Sequence, residues 1–361
     1  MEWRRAHRAD EPVERVGAVT LLRRDRVASY LRHAGVLPPG GSAHVERLSG
    51  GVSSAVFLVE CGTLAVVVKQ ALPKLQVNDE WLSRVERSAT EARAAAVLHR
   101  LLPPGSILPP LHVDERRSLF VMPSAPRGAE TWKAKLMRGE LSPETARTVG
   151  QLLGLLHRRS RDEPGLQEAF ADRQDFLDLR VDPYLVVTAQ RRPSLADAID
   201  RHTRRMLSVR HCLVHGDYSP KNLLVGPSRP EQVVLVDHEV SHWGDPSFDS
   251  AFCLTHLHLK ACTFPTRAAD FLDLAEVFWS TYVSTADAAD PLGRERDTVG
   301  LLGCILAARV DGKSPAEYLT TDTLRDRVRS LAGTILLDEL TRLAEVRQAT
   351  LALVGSAALP A

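Results

Sequence analysis

The 361-residue chain is 44% hydrophobic and 25% charged, and its 46 basic and 45 acidic residues leave a formal net charge of +1. That balance gives no global field to draw nucleic acid or an anionic membrane surface, and the longest apolar runs, such as Ala65–Val68, are far too short to cross a bilayer. Five scattered cysteines without a Cys-x-x-Cys pair argue against a disulfide framework or zinc site and for reduced thiols in a cytoplasmic protein, and the charged Met1–Asp10 start lacks the apolar core of a signal peptide.

Taken in chain order, residues 1–15 read as a frayed start. Thr20–Ala34 follows as an amphipathic helix, with Leu21, Leu22, Val27 and Leu31 on one side and arginines on the other. Leu37-Pro-Pro-Gly-Gly41 stops it. Val45–Leu48, Ala55–Glu60 and Leu64–Gln70 read as short strands parted by glycine turns at Gly50-Gly51 and Cys61-Gly62. Ser83–Leu101 is a strong helix, ended by Pro103-Pro104-Gly105, and two more strands fall at Leu111–Asp114 and Ser118–Met122. Past Pro123 helices dominate. Ser142–Arg159 opens with an N-cap serine and proline at the first helical position. Others are expected at Ser194–Leu207, Asp249–Ala261, Ala268–Ser284, Arg294–Ala307 and Thr321–Leu353. The fold class is therefore α+β: a small antiparallel sheet with one long helix over residues 1–123, then a larger, mostly helical part over 124–361. The hinge between them falls at Met122–Gly128, and ligands favour the cleft at such a join.

The chemistry is carried by His215-Gly-Asp217-Tyr-Ser-Pro-Lys-Asn222, entered from an apolar strand at His211–Val214, and by the run Val233–Asp237 that leads to Glu239. An Asp, an Asn five residues later and a second Asp ending a strand give the spacing that holds one catalytic base and two magnesium ions for phosphoryl transfer. Such transfer needs a carboxylate at the attacking hydroxyl and oxygen ligands for the metal that bridges the phosphates. Glu239, two residues past Asp237, would share its face on a strand; it reads equally as a metal ligand or a solvated strand-end glutamate. Lys221 reads as a phosphate contact or an ordinary loop lysine. Asp249, in Gly244-Asp-Pro-Ser-Phe-Asp249, fits a structural role, accepting backbone N–H bonds from the catalytic loop or capping a helix.

A cation for the donor's phosphates is found in Lys69, which closes the apolar strand Leu64–Lys69. Glu91, in Arg87-Ser-Ala-Thr-Glu91-Ala-Arg93, is its expected helix partner, with Glu86 and Glu80 as competitors. The turn Leu48-Ser-Gly50-Gly51-Val-Ser53-Ser54 could lay backbone N–H groups over the phosphates, although paired glycines also suit a plain hairpin turn.

His-Gly-Asp-x-x-x-x-Asn, an apolar strand ending in Asp, and Gly-Asp-Pro-x-x-Asp together resemble the aminoglycoside phosphotransferase and choline kinase-like superfamily over about residues 45–260. Val68-Lys69-Gln-Ala-Leu-Pro73, Trp81, Glu86-Arg87, Glu91-Ala92 and the Asp237-His-Glu239 motif are similar to 5-methylthioribose kinases. Those kinases typically lack an Asn where this chain has Asn222; the loop here is of the antibiotic-kinase type. The resemblance implies a bilobal protein kinase-like fold and an ATP- and Mg²⁺-dependent transfer to a hydroxyl of a small molecule, with GTP open as an alternative donor. It implies Asp217 as catalytic base, with His215 supporting the loop. Asn222 and Asp237 follow as metal ligands with Glu239 auxiliary, Lys69 on the phosphates with Glu91 as partner, and Phe120–Ser124, including Met122 and Ser124, as the adenine-facing hinge.

The acceptor is less legible. Residues 246–361 hold 15 acidic and 11 basic side chains, too small an excess to favour a polycation. Arg309-Val-Asp311-Gly-Lys-Ser-Pro315 reads either as a helix C-terminus with an Asp-Gly turn or as a substrate-facing bend that would make Arg309 and Asp311 acceptor contacts. His256 and His258 lack i,i+4 metal spacing and read as ordinary helix residues. Three functions stay open: a sugar kinase of methylthioribose type, an antibiotic-modifying kinase, and a nucleotide-binding pseudokinase. Oligomeric state is not encoded in any of these features.

Overall fold

The computed structural model describes residues 21–48, 53–74, 83–227, 231–287 and 289–356. Gly50, Gly51, Glu80 and Trp81 lie outside the described residues, as do residues 1–20. Helix α1 (Arg24–His33) precedes strands β1 (His44–Leu48), β2 (Ser54–Cys61) and β3 (Leu64–Ala71); helix α2 (Arg87–Leu101) leads to β4 (His112–Asp114) and β5 (Leu119–Pro123). The five strands form one antiparallel sheet in the order β1-β2-β3-β5-β4.

Strand alternation decides what this sheet offers on each face. Val66 and Val68 of β3 join Phe57 and Val59 of β2 and Val27 and Leu31 of α1 in an apolar cluster. Val67 and Lys69, one residue out of phase, face the cleft. Lys69 is central in the sheet, opposite Val56 on one side and Phe120 on the other. Helix α2 starts at Arg87, four residues later than the periodicity suggests, because Val85 and Glu86 are taken up in a turn. Its Ala94, Ala95 and Leu98 pack into the core of the other lobe, so α2 is the bridge between the two.

The second lobe contains α3 (Pro143–Arg161), α4 (Ala196–Ser208), α5 (Ser247–Thr263), α6 (Ala268–Ala286), α7 (Pro291–Asp311), α8 (Asp322–Leu337) and α9 (Leu343–Ser356). Ser142 caps α3 by accepting from the Thr145 N–H at 3.1 Å. Two small antiparallel ribbons carry the loops: β6 (Glu130–Thr131), β8 (Leu223–Val225) and β9 (Val233–Leu235) make one, and β7 (Cys212–Val214) with β10 (His242–Gly244) make the other. The chain is thus a two-lobed α+β protein with the small antiparallel sheet in one lobe and helices in the other.

Two expectations are corrected here. Thr321–Leu353 is not one helix. Glu339 turns left-handed at φ +52°, and Glu345 Oε2 accepts from the Thr341 and Arg342 N–H groups at 3.0 Å each, starting α9 afresh. The helix expected at Arg294–Ala307 is longer at both ends, since α7 runs from Pro291 to Asp311 and stops at Gly312, in line with the helix C-terminus reading of the polar island. A ten-residue wide-turn helix, Leu177–Val186, with Pro183 inside it, stands where no element was expected. Among the described residues no helix is long and apolar enough to cross a membrane, and all five cysteines are free and buried.

Candidate active site

The loop between β7 and β8 is held from below by Asp249. Its Oδ2 accepts from the His215 N–H at 2.7 Å and its Oδ1 from the Gly216 N–H at 2.8 Å. His157 adds a contact to Oδ2 at 3.1 Å and reaches the Tyr282 hydroxyl at 3.1 Å with its other ring nitrogen. Helix α5 begins two residues before Asp249, so this carboxylate projects from the first turn toward the loop and is no N-cap. Gly216 sits at φ +77°, where a Cβ would lie 2.8 Å from the Val240 carbonyl oxygen. His215 bonds the Val236 carbonyl through Nε2 at 3.1 Å and receives the Asp217 N–H on Nδ1 at 3.2 Å, an arrangement of the neutral ring. Burial holds its pKa below the ordinary value, in agreement.

Asp217 is 1% exposed and carries three partners on its Oδ2. Arg180 Nη2 approaches to 2.7 Å, Lys221 Nζ to 2.9 Å and Asn222 Nδ2 to 2.9 Å. Burial alone would raise its pKa; Arg180 and Lys221 outweigh that and hold the carboxyl below the usual range. Asn222 also donates to the Asp217 carbonyl at 2.9 Å, which fixes the orientation of its amide.

Across the cleft, Lys69 Nζ lies 2.7 Å from Glu91 Oε1 and bonds Asp237 Oδ1. Burial works against the ammonium, but Asp237, Glu91 and Glu239 together raise its pKa above normal. The same burial pushes Glu91 up to about 7, with Lys69 opposing. Asp237 is held well below the carboxylate range because Lys69 and Lys221 outweigh its burial. Its backbone is left-handed, φ +70°, a conformation that a non-glycine residue keeps only when its surroundings enforce it. Since β9 ends at Leu235, strand alternation is not what aligns Asp237 with Glu239; the turn does that.

Oxygens of Glu91, Asp237 and Glu239 lie within 4.8 Å of one another. Carboxylate oxygens so grouped suit a hard divalent cation, and the Lys69 ammonium already occupies a cationic position between two of them. These residues fit Mg²⁺.

The cleft between the lobes, about 1160 Å³, is lined by Ser53, Lys69, Glu91, Met122, Ser124, Lys221, Asn222, Asp237 and Glu239 among others. Of the two competitors of Glu91, Glu86 precedes α2 and makes no such contact, while Glu80 lies outside the described residues. Asp311 is not in the cleft. Its carboxylate pairs with Arg329 of α8 at 2.8 Å and with Arg192 at 3.7 Å. Arg309 is not in the lining either; it bonds the Tyr184 hydroxyl at 3.2 Å and Ser314 Oγ at 3.1 Å, two residues that are.

Three residues that sequence reasoning gave no role stand here. Arg180 and Tyr184, one turn apart on the wide-turn helix, both line the cleft; the signal was a lone arginine in the apolar run Phe176–Val187. Arg87 is fully buried and donates from Nε to Glu239 Oε2 at 3.0 Å. Its signal was the i,i+4 spacing from Glu91, which puts both on one face of α2.

Residues 44–265 match the family described as APH, phosphotransferase enzyme family. A methylthioribose kinase of Cronobacter sakazakii is 24% identical over 87% of this chain and 90% of its own length. In fold the chain is similar to the microcompartment-associated aminopropanol kinase, 16% identical, with a TM-score of 0.58 over 88% of this chain and 99% of that one. It is also similar to an amicoumacin kinase solved with AMP-PNP and Ca²⁺, 11% identical, with a TM-score of 0.55 over 89% and 97%. The chain belongs to the phosphotransferase enzyme family: it is a kinase that moves a phosphoryl group from ATP to a small molecule.

Proposed function

We propose that Asp217 is the base that takes the proton from an acceptor hydroxyl, and that the acceptor is a sugar-type small molecule. The observation that carries this reading is the convergence of Asp217, Asn222 and Asp237 from one lobe with Lys69 and Glu91 from the other on a single cleft. A phosphoryl donor placed there meets Lys69, fixed by two carboxylates and so kept from wandering. Asn222, Asp237 and Glu239 would hold Mg²⁺, which when bound screens the charge on the donor's phosphates. Asp217, kept ionised by Arg180 and Lys221, is ready to accept a proton without first losing one. His215, Gly216 and Asp249 hold the loop that carries it. Met122 and Ser124 lie where the nucleobase would rest, at the end of β5, and we place the lobe boundary after Pro123 on that ground.

The methylthioribose kinase relatives support a sugar hydroxyl as acceptor. A pseudokinase would have no need of the buried, ionised Asp217. Free, buried thiols support a cytoplasmic location.

The test is nucleotide turnover with ATP and with GTP across methylthioribose, aminoglycosides and nucleoside antibiotics. Asp217→Asn and Asp237→Asn should each lower kcat by about 10²–10⁴-fold with a normal folded fraction. Near-normal rates in either variant reject the assignment.

A further inference from the structure

Beyond two carboxylates, the helical-lobe side of the cleft is lined by basic groups. Outside Asp237 and Glu239, the ionisable side chains that line it among the described residues, apart from Tyr184, are Arg127, Lys133, Arg180 and Lys221. Asp217 is not part of that lining; it lies beneath Arg180 and Lys221, which share its one negative charge and leave a net positive charge above it. Lys133 is answered by Glu317, which sits outside the cleft lining.

From this we infer that the acceptor subsite selects hydroxy compounds without positive charge and rejects amines, an inference that rests on the phosphotransfer reading. A hydroxyl bound for Asp217 has to pass Arg180 and Lys221, and an ammonium group beside it would meet two cations that share a single carboxylate between them. Three of the five N–H donors of Arg180 are already engaged within the protein. Its Nη2 holds Asp217, its Nε the Gly216 carbonyl at 3.1 Å and its Nη1 the Leu179 carbonyl at 2.8 Å. With most of its donors engaged within the protein, it acts on the subsite chiefly through its charge.

The groups suited to hold one are neutral or mobile. Tyr184 accepts from Arg309 and so has its own O–H to donate, and Ser314 lies beside it, tied to the same guanidinium. Burial would raise the Tyr184 pKa, but Arg309 and Arg180 outweigh it and lower it, which makes that O–H a stronger donor. Lys221, with its side chain 47% exposed, retains donors facing the cleft. Hydroxyl, ring or carboxylate oxygens match this set, whereas ammonium groups offer it only further donors.

The experiment uses the full chain saturated with AMP-PNP and Mg²⁺. Binding of D-ribose, methylthioribose and D-gluconate is compared with that of D-glucosamine and kanamycin by calorimetry, and turnover of the same probes is followed with ATP. The neutral and acidic probes should bind, and should be used with kcat/KM at least tenfold above the amines. Lys133→Glu, which reverses one charge on the wall, should narrow that ratio through the acceptor KM, and Tyr184→Phe should weaken the oxygen-rich probes. Preference for glucosamine or kanamycin, or failure of every neutral and acidic probe to bind, overturns the inference. ADP release that persists in Asp217→Asn instead overturns the phosphotransfer reading itself, whatever the order of the probes.

Discussion

Arg87 and Glu239 form a buried ion pair that joins the two lobes, with Nε 3.0 Å from Oε2 and the arginine fully inaccessible. The same guanidinium bonds the carbonyls of Arg84, Ser53 and Leu72, so one side chain links the approach to α2, the entry to β2 and the end of β3 to a carboxylate of the Glu91, Asp237 and Glu239 group. Arg87→Met leaves that carboxylate and three carbonyls without their donor and should cost about 3–5 kcal/mol of stability. Mg²⁺ should bind more weakly as well, read by Mn²⁺ or Mg²⁺ titration in calorimetry. Arg87→Lys should restore part of both. A variant with wild-type melting and metal affinity contradicts the clamp.

Asp249 acts only through the loop above it. Asp249→Ala strands the His215 and Gly216 N–H groups in an apolar interior, a loss on the order of 3 kcal/mol. Hydrogen exchange at those two amides should quicken while exchange in the sheet of the small lobe is unchanged. Protection retained at both amides would show that the loop is held by something else.

Gly216→Ala should behave worse than its size suggests. The residue is left-handed, and the added carbon would meet the Val240 carbonyl at 2.8 Å and its Cγ2 at 2.9 Å. The neighbour is backbone and cannot step aside cheaply, so turnover should fall by at least tenfold with donor binding intact. Equal activity in the alanine variant would mean that the loop has room the geometry denies it.

Asp217 gives acid sensitivity a definite sign. A carboxyl whose folded pKa is depressed adds stability that is complete above the unfolded value, ~3.9, and disappears as pH falls through the folded one. The stability advantage of wild type over Asp217→Asn should therefore be constant from pH 8 to 5 and shrink only below about pH 4. Urea unfolding at each pH reads it directly; an advantage that is flat down to pH 3 removes Arg180 and Lys221 as the source of the shift.

Lys69→Met should separate binding from folding. It deprives Glu91 and Asp237 of their shared cation, so three carboxylates face one another, and the apo protein should gain more stability from Mg²⁺ than wild type does. Thermal shifts with and without Mg²⁺ decide it, and an unchanged Mg²⁺ increment argues against the cluster as the metal site.

Local order carried most of what could be read in advance. Spacing inside one loop and one strand pointed to Asp217, Asn222 and Asp237, and its place at the close of the apolar run Leu64–Val68 singled out Lys69; the structure put it on the face opposite Val66 and Val68. Arg180, Tyr184 and Arg87 were visible as residues but not as partners. Each meets its counterpart across a long stretch of chain, as Arg87 does Glu239, and no periodicity encodes a contact between segments that only packing brings together.

Asp311 went astray for the same reason, its helix face being settled by Arg329 from α8. The amino-acid order alone determined the elements and the identity of the acid, amide and lysine set, because hydrogen bonding and side-chain period act over a few residues. Only the tertiary structure decided which charges neutralise which, because Coulomb interaction depends on distance in space and on burial, not on distance along the chain.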